Sequence, residues 1–559
     1  MFSAFSHLDS PPGNRYFLIM SSDNSARADT VLRRVFIACV LCLALFQFSE
    51  NTADPDLWGH VIYGNHLIQT GQLMRADPYS WTAAGHEWVN HEILAEAAMA
   101  LSFRALGGPG LLLLTIIVGF LTFLLAILTA SKKRDLNTKI VTWAFGALAV
   151  VEISFGFAAR PQIFTALALA IQVWALKQFH QGNRKWAFLL PPLFVLWINA
   201  HGGAIVGVVL LFAAAGATTV EIFFAKTIPK LPGLRFDKPL SPKSLFLLWL
   251  IAIISAAALL ANPYGPGLIR WLIASITWLR PQIAEWNPVT VGWDHAAFFF
   301  CVAFSALAFV VSRQPKRLWE IAILLLLAAM GFRAVRNTPL FCIAALALVP
   351  SHLTDALTRF QKYFTGLLEV GRRAAAKTIL TILFLLLSIA ILASSLFLHK
   401  ERAWTMEVPR AQYPTEAIKF IQQHDLHGNL LVYFDWGEEC LWELPDSRVS
   451  IDGRLDTCYP NNVIAAHWQF YNDEPYDTNA LNIAQADFAL LPSHLAGALA
   501  LAKKDGWHPV YLDGLAVVLV KNLDQFPKLD GLQSVITSAS MSAGATEGRA
   551  AFPNHLPAR

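Results

Sequence analysis

Long apolar stretches separated by short polar connections run through the first 398 residues of the chain. A helix of about 20 apolar residues crosses a bilayer core of roughly 30 Å. The pattern therefore predicts a polytopic α-helical membrane protein with about eleven transmembrane helices. The eleven segments lie near 35–49, 110–130, 140–158, 162–178, 187–200, 203–224, 245–261, 297–312, 319–332, 338–350 and 379–398. Those near 187–200, 319–332 and 338–350 are short, so broken or half-buried helices remain an alternative there.

Basic residues lie mainly at alternate ends of these segments, and this predicts the orientation of the chain. Lysine and arginine cluster before the first segment and then after each even-numbered one, for example at 132–139 and 226–243. Cytoplasmic loops of membrane proteins carry such an excess. The N-terminal tail, residues 1–34, is therefore predicted to be cytoplasmic, and everything after residue 398 to be extracytoplasmic. An odd number of crossings agrees with that placement.

Two regions have the mixed composition of water-soluble structure. The membrane domain, residues 35–398, includes a long outer loop at 50–109, where Asn90 is predicted to cap a helix that runs along the membrane surface to Arg104. Residues 399–525 are predicted to form a small α/β domain, with helices near 414–423, 461–471 and 494–505 and strands near 429–434, 448–451, 488–491 and 515–521. Residues 526–559, rich in Ser, Ala, Gly and Pro, are predicted to be disordered.

The composition excludes most classes of soluble protein. Hydrophobic residues make up 55% of the 559 positions and charged residues 15%, against roughly 25% charged residues in soluble proteins. The net charge of +4 reflects basic inner loops, so it does not indicate a nucleic-acid surface. Two cysteines, Cys440 and Cys458, fall in the predicted outer domain, where they form a disulfide or remain two buried thiols.

Polar residues that are costly at membrane depth gather on the predicted outer face. Asp54 and Asp56 follow the first segment. This carboxylate pair is a candidate for a general base, or for the ligands of a divalent cation such as Mg²⁺ or Mn²⁺, although it could also only cap the chain there. The other candidates are His60, Asp77, Asn90, His91, Glu92, Arg160, Asn199, His201, Asn262, Glu285, Arg333, Arg336 and Asn337. Their one-sided distribution predicts a single polar site at the outer membrane surface.

Some of these residues also have a simpler explanation. Arg160, Arg333 and Arg336 lie outside, against the positive-inside trend. A guanidinium is well shaped to clamp a phosphate, but an arginine side chain can also merely extend to the membrane interface. Asp77 precedes a proline, which is typical of a turn. The constellation therefore carries more weight than any single motif.

The chain resembles the GT-C superfamily of membrane glycosyltransferases, and most closely its bacterial members with a mannosyltransferase-like membrane core. The resemblance covers about residues 50–350. The residues that carry it are Asp54-Pro55-Asp56-Leu57-Trp58-Gly59-His60, Asp77-Pro78-Tyr79-Ser80-Trp81-Thr82, Trp88-Val89-Asn90-His91-Glu92, Arg160-Pro161-Gln162, Asn199-Ala200-His201-Gly202-Gly203 and Arg336-Asn337-Thr338-Pro339.

The resemblance implies transfer of a sugar from a polyprenyl-phosphate donor to a glycan, lipid or protein acceptor, at the outer face of a bacterial inner membrane. Asp54 and Asp56 stand where the acid that activates the acceptor is expected. Arg160 stands where the metal-dependent branch carries a second acidic motif, so the need for a cation remains open. We expect the donor phosphate to be held by residues from a basic group comprising Arg160, Arg333, Arg336, His91 and His201.

Two other classes of function are compatible with a polar site in a membrane protein. A lipid or glycan flippase or transporter also places charged residues in a cavity, but it should carry them through the membrane depth or on both faces. A non-catalytic envelope assembly protein would use its outer domain to bind a partner. The one-sided distribution of polar residues favours the glycosyltransferase.

Overall fold

The computed structural model describes residues 12–130, 136–227, 240–277, 280–361, 374–397, 404–529 and 548–557. Up to residue 397, the described chain is helical. Its helices are α1 (Pro12–Phe48), α2 (Leu57–Thr70), α3 (Ile93–Leu106), α4 (Gly108–Ala130), α5 (Leu136–Ser154), α6 (Gln162–His180), α7 (Leu190–Ala200), α8 (Ala204–Thr227), α9 (Pro242–Ala258), α10 (Pro266–Thr277), α11 (Ala296–Val311), α12 (Leu318–Arg333), α13 (Thr338–Leu348), α14 (Pro350–Gln361) and α15 (Ala374–Phe397).

Each of the eleven predicted apolar segments coincides with one of these helices. Five spans within the described residues are long and apolar enough to cross a membrane, and they are Arg27–Phe48, Gly108–Ala130, Gln162–His180, Ala204–Phe224 and Lys377–Ser394. The pair Val335–Leu348 and Pro350–Phe360, bent by 66°, adds a sixth. The other segments form shorter helices, such as the 11-residue α7. The chain is thus a multi-pass helical protein, while the number of eleven crossings remains a prediction.

The chain after residue 404 folds around a five-stranded mixed sheet. Its elements are β1 (Glu407–Pro409), α16 (Thr415–Gln423), β2 (Gly428–Val432), α17 (Gly437–Glu443), β3 (Ser447–Val449), α18 (Asn461–Tyr471), β4 (Phe488–Pro492), α19 (Ala496–Leu501), β5 (His508–Leu512), β6 (Ala516–Val520) and β7 (Arg549–Ala551). The strand order is β3-β2-β4-β6-β5. Strands β3, β2 and β4 are parallel, whereas β6 is antiparallel to both β4 and β5. All residues of β4 and β6 are buried, which is typical of central strands covered on both faces.

The outer loop, residues 50–109, shares one hydrophobic core with this sheet. The backbone amide of Ala53 donates to the carbonyl of Glu407 at 2.7 Å, and that of Val449 donates to the carbonyl of Tyr79 at 3.2 Å. Trp58 of α2 packs on the ring of Tyr413, with 5.0 Å between the ring centroids. The loop and the C-terminal part therefore form one packed unit rather than a free domain beside a loop.

Two boundaries differ from those predicted. Helix α3 begins at Ile93 rather than at the residue after Asn90. The side chain of Asn90 accepts the amide of Glu92 and donates to the carboxylate of Glu96, so it orders the approach to the helix instead of capping it. The predicted disordered tail ends in structure, because β7 pairs with β1 and Phe552 is fully buried. Residues 530–547 of that tail lie outside the described residues.

Of the two alternatives for Cys440 and Cys458, the disulfide is not formed. Both residues are buried free thiols. Cys440 lies in α17 and Cys458 follows the 3₁₀ turn Leu455–Thr457, and each packs into the shared core as a small apolar side chain. The alternative of two unpaired thiols is therefore the one observed.

Candidate active site

Acidic and basic side chains from distant parts of the chain meet beside the start of α2. The Arg160 Nε atom lies 2.5 Å from Asp54 Oδ2, and its Nη2 lies 3.9 Å from Asp56 Oδ2. Glu285 then joins two arginines, with its Oε2 at 3.1 Å from Arg160 Nη1 and its Oε1 at 3.3 Å from Arg336 Nη1. Four predicted outer-face loops therefore contribute to one charged cluster.

Local sequence explains how the two aspartates are presented. The side chain of Asp54 accepts the backbone amide of Asp56 at 3.1 Å, which forms a tight turn around Pro55. The carbonyls of Asp54 and Asp56 then accept the amides of Leu57 and His60 at the start of α2. On the other side, Gly453 leaves room for Asp56, because a Cβ at this glycine would overlap its carboxylate.

Asp56 differs from Asp54 in its environment. The side chain of Asp54 is 10% exposed and pairs closely with Arg160, whereas that of Asp56 is 30% exposed. Burial raises the pKa of Asp56 to about 7, with Asp54 and Asp435 adding to the rise while Arg160 and His60 oppose it. A carboxylate that titrates near neutrality and is accessible to solvent is suited to accept a proton.

The aspartate pair does not fit the divalent cation that the sequence analysis considered. The guanidinium of Arg160 lies against Asp54, within 3.9 Å of Asp56 and 3.1 Å from Glu285. It thus supplies the positive charge between the carboxylates, and a divalent ion there would have to displace it. No step of the chemistry below is derived through a metal at this position.

A second group of side chains surrounds Glu92. Its Oε1 lies 3.7 Å from His91 Nε2 and 3.8 Å from His201 Nε2. The Nδ1 atom of His201 accepts the Gly203 amide at 3.1 Å, so the neutral ring carries its proton on Nε2. Burial lowers the pKa of His201 to about 3, which keeps the ring neutral. His201 is therefore a hydrogen-bond donor towards the site rather than a cation.

A cavity of about 80 Å³ opens beside this cluster. Its polar end is formed by His201, Glu285, Arg336 and Asn337. The other walls are mainly apolar and include Phe155, Phe157, Val206 and Leu340. The ring of Trp286 lies under the guanidinium of Arg336, with 4.3 Å from the guanidinium carbon to the ring centroid. A charged end and an apolar wall of this kind match a ligand with an anionic head and a lipid tail.

Several predicted site residues have structural roles instead. Asp77 accepts the amides of Tyr79 and Ser80, which confirms the turn, and it also pairs with Arg454 at 2.7 Å. Asn199 donates to the carbonyls of residues 195 and 261, and Asn262 to those of residues 259 and 265. These asparagines therefore tie helix ends together and do not contribute to the charged cluster.

Arg333 and Arg336 differ in their exposure. Arg333 is the last residue of α12, and its side chain is exposed. The chain then turns through the short 3₁₀ segment Val335–Asn337, which directs Arg336 and not Arg333 towards Glu285. The expectation that Arg333 holds a phosphate therefore stays a prediction, whereas Arg336 pairs with Glu285.

Sequence reasoning missed two carboxylates of the site, Asp435 and Glu438. Glu438 accepts the amide of Gly59 at 3.0 Å, and burial raises its pKa well above the ordinary value. Burial likewise raises the pKa of Asp435, with Asp54 adding to the rise. Both residues follow the carboxyl end of β2, where open α/β sheets place ligands. Their position just after a predicted strand was the sequence signal that could have identified them.

No family model and no curated protein sequence match this chain. Solved structures do. The apo oligosaccharyltransferase of Archaeoglobus fulgidus superposes with a TM-score of 0.50 at 12% identity, covering 88% of this chain and 74% of that one. The chain shares its fold with that oligosaccharyltransferase. The resemblance in the sequence is thereby confirmed at the level of the fold.

Two further solved structures are similar at lower scores. AglB from Archaeoglobus fulgidus, in complex with an inhibitory peptide and a dolichol-phosphate, gives a TM-score of 0.48 at 12% identity and covers 82% of this chain and 69% of that one. ArnT from Cupriavidus metallidurans, bound to undecaprenyl phosphate, gives 0.46 at 12% identity, with 89% and 98% covered.

Proposed function

We propose that the chain is a membrane glycosyltransferase, which moves a sugar from a polyprenyl-phosphate donor to a hydroxyl of a glycan, lipid or protein acceptor. The observation that carries the proposal is the placement of Asp56. It is a solvent-accessible carboxylate with a pKa of about 7 and lies 3.9 Å from Arg160. Glu285 joins Arg160 to Arg336, which lines a cavity with apolar walls. The GT-C fold, shared with an oligosaccharyltransferase, supports the same class.

In this mechanism Asp56 accepts the proton of the acceptor hydroxyl as its oxygen attacks the anomeric carbon. The new bond joins the acceptor oxygen to that carbon. The bond from the carbon to the phosphate oxygen breaks, and its electron pair leaves with the lipid phosphate. A direct displacement of this kind inverts the anomeric configuration. Asp54 holds Arg160 in place and is the less exposed of the two carboxylates, so we assign the base to Asp56.

The leaving phosphate needs charge stabilisation more than it needs a proton. Arg336 at the polar end of the cavity and the Nε2 proton of neutral His201 are positioned to supply it. Arg336 pairs with Glu285 at 3.3 Å, so a bound phosphate would take over part of that contact. His91 faces the same carboxylate as His201 and completes the polar wall.

We further propose that the site faces the outside of a bacterial inner membrane. The basic loops support a cytoplasmic N-terminus, and the unit formed by residues 50–109 and 404–529 would then lie outside. In this arrangement the lipid tail of the donor occupies the apolar walls of the cavity. The acceptor would approach from the side of the C-terminal sheet.

The test is sugar transfer by the full chain in membranes, with radiolabelled polyprenyl-phosphate hexoses and pentoses as donors. We expect the substitution Asp56→Asn to lower the transfer rate by roughly 10²- to 10⁴-fold, the usual contribution of a general base. The matched control is Asp505→Asn, an exposed aspartate of the C-terminal part, which should keep full activity. Full activity in both Asp54→Asn and Asp56→Asn would refute the assignment of the base.

The same assay separates the other two classes of function. A flippase or transporter would move the labelled lipid across the membrane without transferring its sugar. A non-catalytic assembly protein would do neither. Transfer that depends on Asp56 supports the enzyme alone.

A further inference from the structure

A histidine with an unpaired nitrogen lies between the buried carboxylate of Glu96 and the half-buried carboxylate of Glu92, on the side of α2 that faces α3. The Nδ1 atom of His60 is 3.6 Å from Glu96 Oε1 and 3.9 Å from Glu92 Oε2. It is fully enclosed and has no hydrogen-bond partner among the described residues. His60 is 8% exposed and Glu96 3%. A buried polar nitrogen without a partner requires a physical explanation.

The two helices are built to bring these three side chains together. Gly64, one turn after His60, allows α3 to approach closely, since a Cβ there would overlap the carbonyl of Glu96. Asn90 donates to Glu96 Oε2 at 2.6 Å, which orients the carboxylate so that its other oxygen faces His60. A polar neighbour that fixes a carboxylate in this way is typical of the surroundings of a metal ligand.

We propose that His60, Glu92 and Glu96 bind a divalent transition-metal cation, with Zn²⁺ as the best match. The three ligand atoms lie within 4.8 Å of one another. Tetrahedral Zn²⁺ with bonds of about 2.1 Å needs ligand separations of roughly 3.4 Å. The two distances from His60 Nδ1, 3.6 and 3.9 Å, are already near that value. The two glutamate oxygens would have to move towards each other by up to about 1.4 Å. One imidazole with carboxylates suits Zn²⁺ better than Mg²⁺ or Ca²⁺, which prefer oxygen ligands alone.

The charge of the group also favours a bound cation. A buried and a half-buried carboxylate placed side by side are costly unless a cation compensates them. A divalent ion neutralises both of them, and it occupies the nitrogen that is otherwise unpaired. The other oxygen of Glu92, Oε1, faces His201 instead of His60. The Nε2 atom of His201 carries a proton in the neutral ring, so it is not available as a metal ligand. Three protein ligands leave a position for water, as in open zinc sites.

The cation would act as a positioning element, because it joins the first turns of α2 and α3. It would hold Glu92, and through Glu92 the neighbouring His91 and His201, in front of the cavity. This site is separate from the pair Asp54 and Asp56, where Arg160 already supplies the charge. The alternative is a metal-free ion pair, in which His60 carries a proton between the two carboxylates.

The experiment measures metal content, so its outcome does not depend on transfer activity. The untagged full chain in detergent is stripped with a chelator, dialysed against Zn²⁺ and analysed by mass spectrometry after gel filtration. We expect about one Zn²⁺ per chain, because the site holds one ion. The substitutions His60→Ala and Glu96→Gln should each reduce the retained Zn²⁺ to about a tenth or less, since loss of a ligand weakens binding by at least the 10- to 100-fold seen for outer-shell partners.

The matched control is His66→Ala, which removes a histidine from the same helix, outside the group of three, and should leave the zinc content unchanged. Zinc binding should also release protons from the wild-type chain, since the ligands must lose theirs. A wild-type chain that retains no Zn²⁺ overturns the proposal and supports the ion pair. So does a His60→Ala variant with wild-type content. The wild-type measurement decides the matter even where a variant fails to fold.

Discussion

The protonation of one residue, Asp56, is expected to control the rate of transfer. Burial, with Asp54 and Asp435 adding to the rise, raises its pKa to about 7. A general base acts only in its unprotonated form. We therefore expect kcat/KM to rise with pH up to about 7 and to level off above it, falling about tenfold for each pH unit well below the midpoint. The measurement is a pH–rate profile between pH 5 and 9.

The neighbouring carboxylate Asp435 provides a more specific test of whether the pH profile reports the pKa of Asp56. The charge of Asp435 raises the pKa of Asp56. The substitution Asp435→Asn should therefore shift the midpoint of the pH profile to lower pH. Asp446 is exposed, and Asp446→Asn should leave the midpoint in place. A profile that is flat between pH 5 and 8 in the unmodified chain would rule out Asp56 as the base.

A second residue, Arg336, is expected to matter for the donor rather than for the acceptor. Its guanidinium lies at the polar end of the cavity and stacks on Trp286. Lysine keeps the charge but loses the planar, bidentate geometry. We expect Arg336→Lys to raise the KM for the lipid donor about tenfold or more, while Arg333→Lys, an exposed position, has no effect. Equal donor KM values in the two variants would contradict the placement of the phosphate.

The residues of the charged cluster could be predicted from sequence only in part. Asp54, Arg160, Glu285 and Arg336 are each unusual in their own loop, so each was recognised without knowledge of its partners. Asp435 was not recognised, because no local pattern indicates that the end of β2 faces a loop almost 380 residues earlier in the chain. Contacts of that range arise from the packing of the core and not from the neighbouring sequence.

At the scale of the elements, one buried arginine joins the outer loop to the C-terminal sheet. Arg454 Nη1 lies 2.7 Å from Asp77 Oδ1, and its Nη2 lies 2.7 Å from Asp452 Oδ2. The guanidinium also lies over the ring of Trp88, 4.9 Å from its centroid. All three charged side chains are at most 3% exposed. Buried ion pairs of this kind hold two segments in one register only while both partners are present.

We expect the substitution Arg454→Met to lower the free energy of unfolding by about 3–5 kcal/mol, because it leaves two buried carboxylates without their cation. The measurement is the shift of the thermal unfolding midpoint in detergent. The matched control is Lys528→Met, which removes an exposed partner of Asp425 and should change the midpoint little. Equal shifts in the two variants would show that Arg454 does not hold the loop.

Elements were predictable where their sequence pattern was strong. The apolar helices and the strands β2, β4 and β6 follow from runs of apolar residues. Strand β5 was missed, because it contains a proline and has a bulge between residues 509 and 511. Helix α17 was missed because it is only seven residues long and carries two glutamates in its first turn. Both elements are stabilised by the shared core and not by their own pattern.

At the scale of the whole molecule, the polar site lies where the membrane helices meet the packed outer unit. The turns and the helix α17 that follow strands β2 and β3 contribute Asp435, Glu438 and Asp456 to the surroundings of the site. Asp456 pairs with Arg280 at 2.6 Å. The membrane helices contribute the cavity. The sequence indicated the two parts separately. Their close packing into one core could not be read from it, because hydrophobic periodicity describes how an element is buried but not against which partner.

The distribution of basic residues predicts which side of the membrane each part of the chain faces. Asp505 in the C-terminal part and Lys185 in a basic connection are both exposed, and the positive-inside rule places them on opposite sides of the membrane. An impermeant maleimide should therefore label Asp505→Cys in intact cells, but Lys185→Cys only after permeabilisation. The six native cysteines are buried or half-buried, so the unmodified chain serves as the background. Labelling of Lys185→Cys in intact cells would invert the topology and place the proposed site in the cytoplasm, where an extracytoplasmic acceptor could not reach it.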